Sequence, residues 1–183
     1  FTVGLFRGRE RLNALPHFDV TFVASSPLSA EAVLGHRVRL QIHAGHTRLV
    51  TGIVDRFWRG KVLAHGRASH RVRIVPAATR LTRRKTSRVF QELTTLEIAR
   101  KLFDEHGVEL RIECLGTLPV REVCIQYDTT DWDFLTGLFA EEGLVFRVDH
   151  PLDSDAATVH EVVTLFDHSA RYRPLDGGER LVY

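Results

Sequence analysis

Residues Val123 to Phe146 read VCIQYDTTDWDFLTGLFAEEGLVF, a run that holds a strand, a helix cap, an amphipathic helix, a stop and a second strand. Val123, Ile125 and Tyr127 alternate with more polar neighbours, the period of a half-buried strand. Thr130 followed by Asp133 has the spacing of a capping box, with Asp in the place of the usual Glu, so a helix is expected to start at Asp131. Trp132, Leu135, Leu138 and Phe139 then fall on one helical face, which makes them the predicted core, with Glu141 and Glu142 on the far side. Gly143 supplies the residue that tolerates a left-handed stop. Leu144, Phe146 and Val148 resume a strand.

The same pattern occurs upstream. Thr94 with Glu97 is a T-x-x-E capping box, which predicts a helix over 95–106 with Ile98, Ala99, Leu102 and Phe103 inward and Gly107 closing it. Val108, Leu110 and Ile112 follow as a strand, a turn is expected over 116–119, and a closing strand over 159–166 follows a polar loop at 151–157. The first part of the chain reads instead as strands over 2–6, 17–24, 37–43, 48–58, 62–64 and 70–75. One helical turn over 29–34 is expected to stop at Gly35, and hairpin turns are expected at Ala44-Gly45-His46 and Arg59-Gly60. No repeat of solenoid period stands out.

The fold class is therefore α+β: a β-rich small barrel or half-barrel over 1–78, then an α/β layer of two helices packed on a sheet over 79–170, then a polar tail over 171–183. A chain of 183 residues with 44% hydrophobic and 26% charged content suits a globular protein, which sets disorder aside. No run of eighteen apolar residues is present, so no membrane insertion is expected. The amino terminus alternates like a strand and has no signal-peptide pattern; the complete lack of Met suggests a trimmed or partial chain. Cys114 and Cys124, the two cysteines, lie in strand-like runs and are expected to be reduced.

Charge is distributed unevenly. Residues 1–90 hold 17 basic and 4 acidic side chains, an excess of +13, and residues 91–183 hold 8 and 19, an excess of −11. The halves should attract, inside one subunit or head to tail between neighbours. Arg80, Arg83, Arg84 and Arg88 facing Glu141 and Glu142 are the candidate subunit contacts. The arginines at 37, 39, 71 and 73 alternate along strands, which places them on a solvated sheet face and argues against a nucleic-acid site.

Catalytic chemistry finds little support. His43 and His46 form an H-x-x-H pair across a presumed turn, but zinc needs three or four converging ligands, so exposed turn histidines are the better reading and no metal is expected. His106 sits at a helix C-terminus, where its charge is favourable, with Asp104 and Glu105 solvated beside it. Glu141 and Glu142 are adjacent and point about 100° apart on a helix, so they cannot flank one scissile bond. Nucleophile elbows and phosphate loops are absent. Trp58 and Trp132 are candidates for stacking on a base, although Trp132 belongs to the apolar stripe. No catalytic, cofactor-binding or metal residue is assigned, and no enzyme activity is expected.

These residues also carry a resemblance. Gln126, Tyr127, Asp128, Thr129, Asp131, Phe134, Leu138, Glu141, Glu142 and Gly143, together with Ser87-Arg88-Val89-Phe90-Gln91, Arg7-Gly8 with Glu10 and Leu12, Leu34-Gly35 and Gly52-Ile53-Val54, resemble the N-terminal hub domain of VgrG. VgrG is the spike protein of type VI secretion and a relative of phage tail baseplate hubs and late-control D proteins. The resemblance implies a structural hub: in the full-length protein, a homotrimer that connects a tail-tube hexamer to the puncturing spike, with a spike tip and effector or adaptor proteins as further partners. It also implies assembly in the cytoplasm and export through the contractile apparatus. Two other readings are a baseplate hub of a contractile phage tail and a hydrolase whose site is assembled from distant His and carboxylates. A third is an electrostatic binding module built on the basic half.

Overall fold

The computed structural model describes residues 1–44, 46–150 and 160–171. Its first unit is a five-stranded antiparallel sheet of β1 (Thr2–Arg9), β2 (His17–Ala24), β3 (Arg37–Ala44), β4 (His46–Val62) and β5 (Ala68–Val75), in the order β1-β2-β5-β4-β3. The alternation that identifies these strands also fills their inner face: Phe18, Val20, Leu40, Val50, Val54, Val72 and Ile74 form one buried cluster. Register shifts between Val3 and Leu5, Val54 and Arg56, and Arg59 and Val62 interrupt the ladders. Bulges of this kind raise local twist, and the sheet curls into a half-barrel whose edges, β1 and β3, stay open.

Two local expectations change. Arg59-Gly60 is no turn; β4 continues to Val62, and the chain reverses around Ala64–Gly66, where His65 (φ 60) and Gly66 (φ 72) take left-handed backbone. Gly60 serves close approach instead, because a Cβ there would collide with Ser69 on the paired strand. The strand expected over 62–64 is accordingly absent. The turn before Gly35 does form, with Leu34 N–H donating to Ala30 O at 2.8 Å and Gly35 at φ 76.

The second unit runs β6 (Lys85–Thr94), α1 (Thr95–Glu105), β7 (Leu110–Ile112), β8 (Val120–Thr130), α2 (Asp131–Glu141), β9 (Val145–Asp149) and β10 (Val162–Phe166). The expected single sheet is two: β6 and β8 pair as an antiparallel ribbon, while β10 lies between β7 (parallel) and β9 (antiparallel). Both contribute to one core with the helices. Phe90 and Cys124 enter from the ribbon; Phe146, Val163 and Leu165 from the three-stranded sheet; Ile98, Leu102, Phe103, Trp132, Leu135, Leu138 and Phe139 from the helices. All five residues of β10 are buried. The loop expected at 151–157, the first residue of the closing strand and the tail beyond 171 lie outside the described residues.

Helix ends follow their sequence signals. Thr94 and Glu97 make a reciprocal capping box at α1. At α2 the Thr130 hydroxyl accepts from Asp133 N–H and donates to the Asp133 carboxylate, which is one methylene shorter than the Glu97 side chain. Gly107 (φ 61) and Gly143 (φ 67) follow the last turns.

The two halves of this unit repeat each other at an offset of 36 residues, a feature the sequence reading missed. Thr94, Leu102, Phe103, Glu105 and Gly107 match Thr130, Leu138, Phe139, Glu141 and Gly143, and each half is strand, Thr cap, eleven-residue helix, Gly stop and strand. The backbone repeats too: Glu92 (φ 51) and Asp128 (φ 44) both hold left-handed conformations. Val89 pairs directly with its own counterpart Ile125 across the ribbon, so the local two-fold passes between them.

The half-barrel docks on this unit through specific contacts. Asn13 (φ 56), in the β1–β2 loop, donates its backbone N–H to Phe146 O at 3.1 Å, and its side-chain oxygen accepts from Phe146 N–H at 2.9 Å. Glu161 accepts from Ala77 N–H at 2.7 Å, and Thr51 N–H donates to His150 Nδ1 at 3.2 Å.

Candidate assembly surfaces

Asp131, the first residue of α2, is completely buried and gathers four donors. His106 Nε2 lies 2.8 Å from Oδ2, Gln126 Nε2 2.9 Å and Arg88 Nη2 3.1 Å from Oδ1, and Arg84 Nε also reaches Oδ2. Burial alone would raise its pKa; hydrogen bonds from His106, Gln126, Arg84 and Arg88 outweigh that and hold it down to about 2. Glu105 binds both arginines from the other side. His106 and Glu105 thus close an ionic network around the buried Asp131 that ties α1, α2 and the ribbon together; Glu105 stays exposed, as its sequence position suggested, while its carboxylate is held by both arginines.

The acidic pair at the end of α2 is also engaged. Arg121 Nη2 donates to Glu142 at 2.7 Å and to Glu141 at 2.9 Å, and its Nε donates to Thr95 Oγ1 at 3.2 Å. Arg83 pairs with Asp55 across the two units. Arg80 lies in the short 3-10 helix Ala77–Thr82, half-buried. Five of the six candidate subunit-contact residues therefore already hold partners within the chain. Trp132, Leu135, Leu138 and Phe139 are all buried, with the Trp132 ring against Phe103 and Phe146.

The ribbon reverses one expectation. Cys124 and Gln126, not Val123, Ile125 and Tyr127, face the core. Gln126 is polar yet fully buried because the network satisfies it: its amide donates to Asp131 and to Thr129 O, and its oxygen accepts from Arg88 Nε. Val123, Ile125, Tyr127 and Val89 are consequently 56–80% exposed on the outer face. A second exposed surface is β1, open to solvent at all eight residues and paired on one side alone.

Among the described residues no three metal-binding side chains converge, and His43 donates to or accepts from Thr47 Oγ1 at 3.0 Å on the exposed hairpin. Cys114 and Cys124 are free thiols, and burial pushes the pKa of both up, away from a reactive thiolate. Trp58 carries Arg71 over its ring at 4.1 Å, a cation–π contact within the sheet. No helix among the described residues is long and apolar enough to cross a membrane.

The geometry is thus a half-barrel joined to a strand-helix-strand repeat, with the buried Asp131 held by an ionic network and apolar side chains exposed on strand faces. The profile of the phage tail baseplate hub (GPD) family matches residues 9–183, and the chain belongs to that family. Over 128 residues, 68% of this chain and 12% of the relative, it is 38% identical to the actin cross-linking toxin VgrG1 of Vibrio cholerae. Over 170 residues, 91% of this chain and 21% of the relative, it is 28% identical to the type VI secretion system spike protein VgrG4b of Pseudomonas aeruginosa. The structure of the E. coli c3393 protein, described as a component of the type VI secretion system similar to T4 bacteriophage tail proteins gp27 and gp5, superposes with a TM-score of 0.85 at 26% identity, covering 94% of this chain and 47% of that one. The chain thus spans an eighth to a fifth of these curated relatives and about half of the E. coli structure.

Proposed function

We propose that this chain is the structural hub of a VgrG-like spike in a type VI secretion machine. Three copies form a ring that connects the tail tube to the puncturing spike, and the region itself performs no catalysis. The half-barrel over 1–78 and the α/β unit over 79–170 act as two parts of that ring. The observation that carries this reading is the superposition on the E. coli type VI component over 94% of the chain. The ionic network around the buried Asp131 supports it, since a part that transmits mechanical load benefits from helices and ribbon locked by charge-assisted hydrogen bonds. Effector or adaptor proteins would ride on other parts of the spike.

Export would then follow the contractile route. Delivery of the chain to the medium should vanish when the contractile sheath of the producing cell is disabled. Continued delivery in such cells would contradict the proposal.

A further inference from the structure

The joint between the half-barrel and the α/β unit holds one histidine in a single protonation state. Thr51 N–H, on β4, donates at 3.2 Å to Nδ1 of His150, the residue after β9. A ring nitrogen that accepts carries no proton, so His150 is the neutral tautomer with its proton on Nε2. That Nε2 is buried and has no hydrogen-bond partner among the described residues. The Phe18 ring, on β2, packs edge-on against the imidazole with centroids 6.0 Å apart.

Charging the ring breaks this arrangement. The second proton must go on Nδ1, where it would point at the Thr51 N–H, and two donors make no hydrogen bond with each other. Burial opposes the charge most; Glu10 in the β1–β2 loop, Glu161 before β10 and Asp149 on β9 favour it, and Arg48 on β4 opposes it. Burial prevails and holds the pKa below the ordinary 6.5. The joint has little in reserve. Thr51 Oγ1 and Glu161 Oε2 are also buried without a hydrogen-bond partner among the described residues, and the nearest guanidinium nitrogen to Glu161 Oε2, from Arg37, is 3.8 Å away.

We propose that His150 is an acid-sensitive latch: neutral, it accepts from Thr51 and seats the half-barrel on the α/β unit, and protonated, it lets go, so that mild acid loosens the joint. The two units have separate buried clusters, so each keeps its own core when the joint loosens. Because the folded ring has its pKa below 6.5, the stabilisation is fully present above pH 6.5 and is lost as the pH falls below that value. Asp131 responds in a separate window, near pH 2.

Amide hydrogen exchange of the wild-type protein and of His150→Asn, at about pH 7.5 and about pH 5 and corrected for the intrinsic pH dependence of exchange, tests the latch. Asn offers Oδ1 to Thr51 N–H near the place of Nδ1 and does not titrate. The amides of Thr51 and Phe146 both donate across the joint, to His150 and to Asn13. In the wild type their protection should fall about tenfold in acid while that of Leu102, inside α1, holds; in His150→Asn all three should hold. Unchanged protection of Thr51 in the wild type, or the same loss in His150→Asn, overturns the proposal. Should His150→Asn not fold, the ring 15N shifts of wild-type His150 decide. A bare Nδ1 at about pH 7.5 that gains its proton as Thr51 loses protection upholds the latch. An Nδ1 already protonated at about pH 7.5, or protection lost with no change at the ring, overturns it.

Discussion

Glu92 and Asp128 stand 36 residues apart and hold the same left-handed backbone, φ 51 and φ 44, at corresponding points of β6 and β8. Neither is glycine, so each carries the cost of a conformation that side chains with a Cβ disfavour. Their pairing as repeat equivalents shows that the kink belongs to the strand-helix-strand unit and is not an accident of one strand.

Glu92→Gly should therefore stabilise the protein by up to about 1 kcal/mol, and Glu92→Val should destabilise it by about 1–2 kcal/mol. Glu92 is exposed and forms no ion pair among the described residues, so the comparison isolates the backbone. Urea midpoints of the two variants moving in the same direction would contradict it.

Asp131 makes stability depend on acid. Its folded pKa of about 2 lies below its ordinary value of 3.8, so the stability it contributes is fully present above pH 4 and is lost as pH falls through about 2. The size is roughly 2 kcal/mol. Unfolding free energies of wild type and Asp131→Asn, measured between pH 2 and 6, should converge as the pH drops through this window. A difference that stays constant across it would remove the network from the account.

Asp131→Asn at neutral pH should cost about 1.5–3 kcal/mol, because Arg84 and Arg88, partly exposed and still paired with Glu105, lose one of their two carboxylate partners. A loss well under 1 kcal/mol in denaturant titration would count against a tightly coupled site.

Phe103→Ala and Phe139→Ala should behave as a matched pair. The two phenylalanines are repeat equivalents, exposed by 0% and 2%, and each truncation should cost roughly 3–5 kcal/mol. An unchanged unfolding midpoint in either variant would show that its helix face is not core.

Both cysteines should remain thiols. Cys124 is buried and Cys114 half-buried, with pKa values pushed up by burial, so a thiol reagent should label them far more slowly in the folded protein than in denaturant. Rapid labelling of Cys124 without unfolding would contradict the inward face of β8.

Much of the fold was legible in the sequence because helix caps, stops and apolar stripes are local signals: Thr94–Glu97, Thr130–Asp133, Gly107 and Gly143 mark both helices to within a residue. The ribbon was not. Apolar alternation at Val123, Ile125 and Tyr127 pointed inward, yet Gln126 goes in because Asp131, Arg88 and Thr129 satisfy it, and those partners become visible only in three dimensions. The repeat escaped because its strands share little and the helices match at scattered positions; comparing the two T-x-x-(E/D) caps and their glycines at a constant offset of 36 would have found it. Five of the six charges read as subunit contacts also meet partners within the chain, which was invisible for the same reason as the ribbon. Sequence shows which charges exist, and folding decides which of them meet.

The central proposal is that the hub assembles in threes, and the mass of the protein in solution tests it most directly. Light scattering over a concentration series should show particles of three 20.8 kDa chains. Particles that hold one copy at every concentration, or that stop at two, would contradict the account.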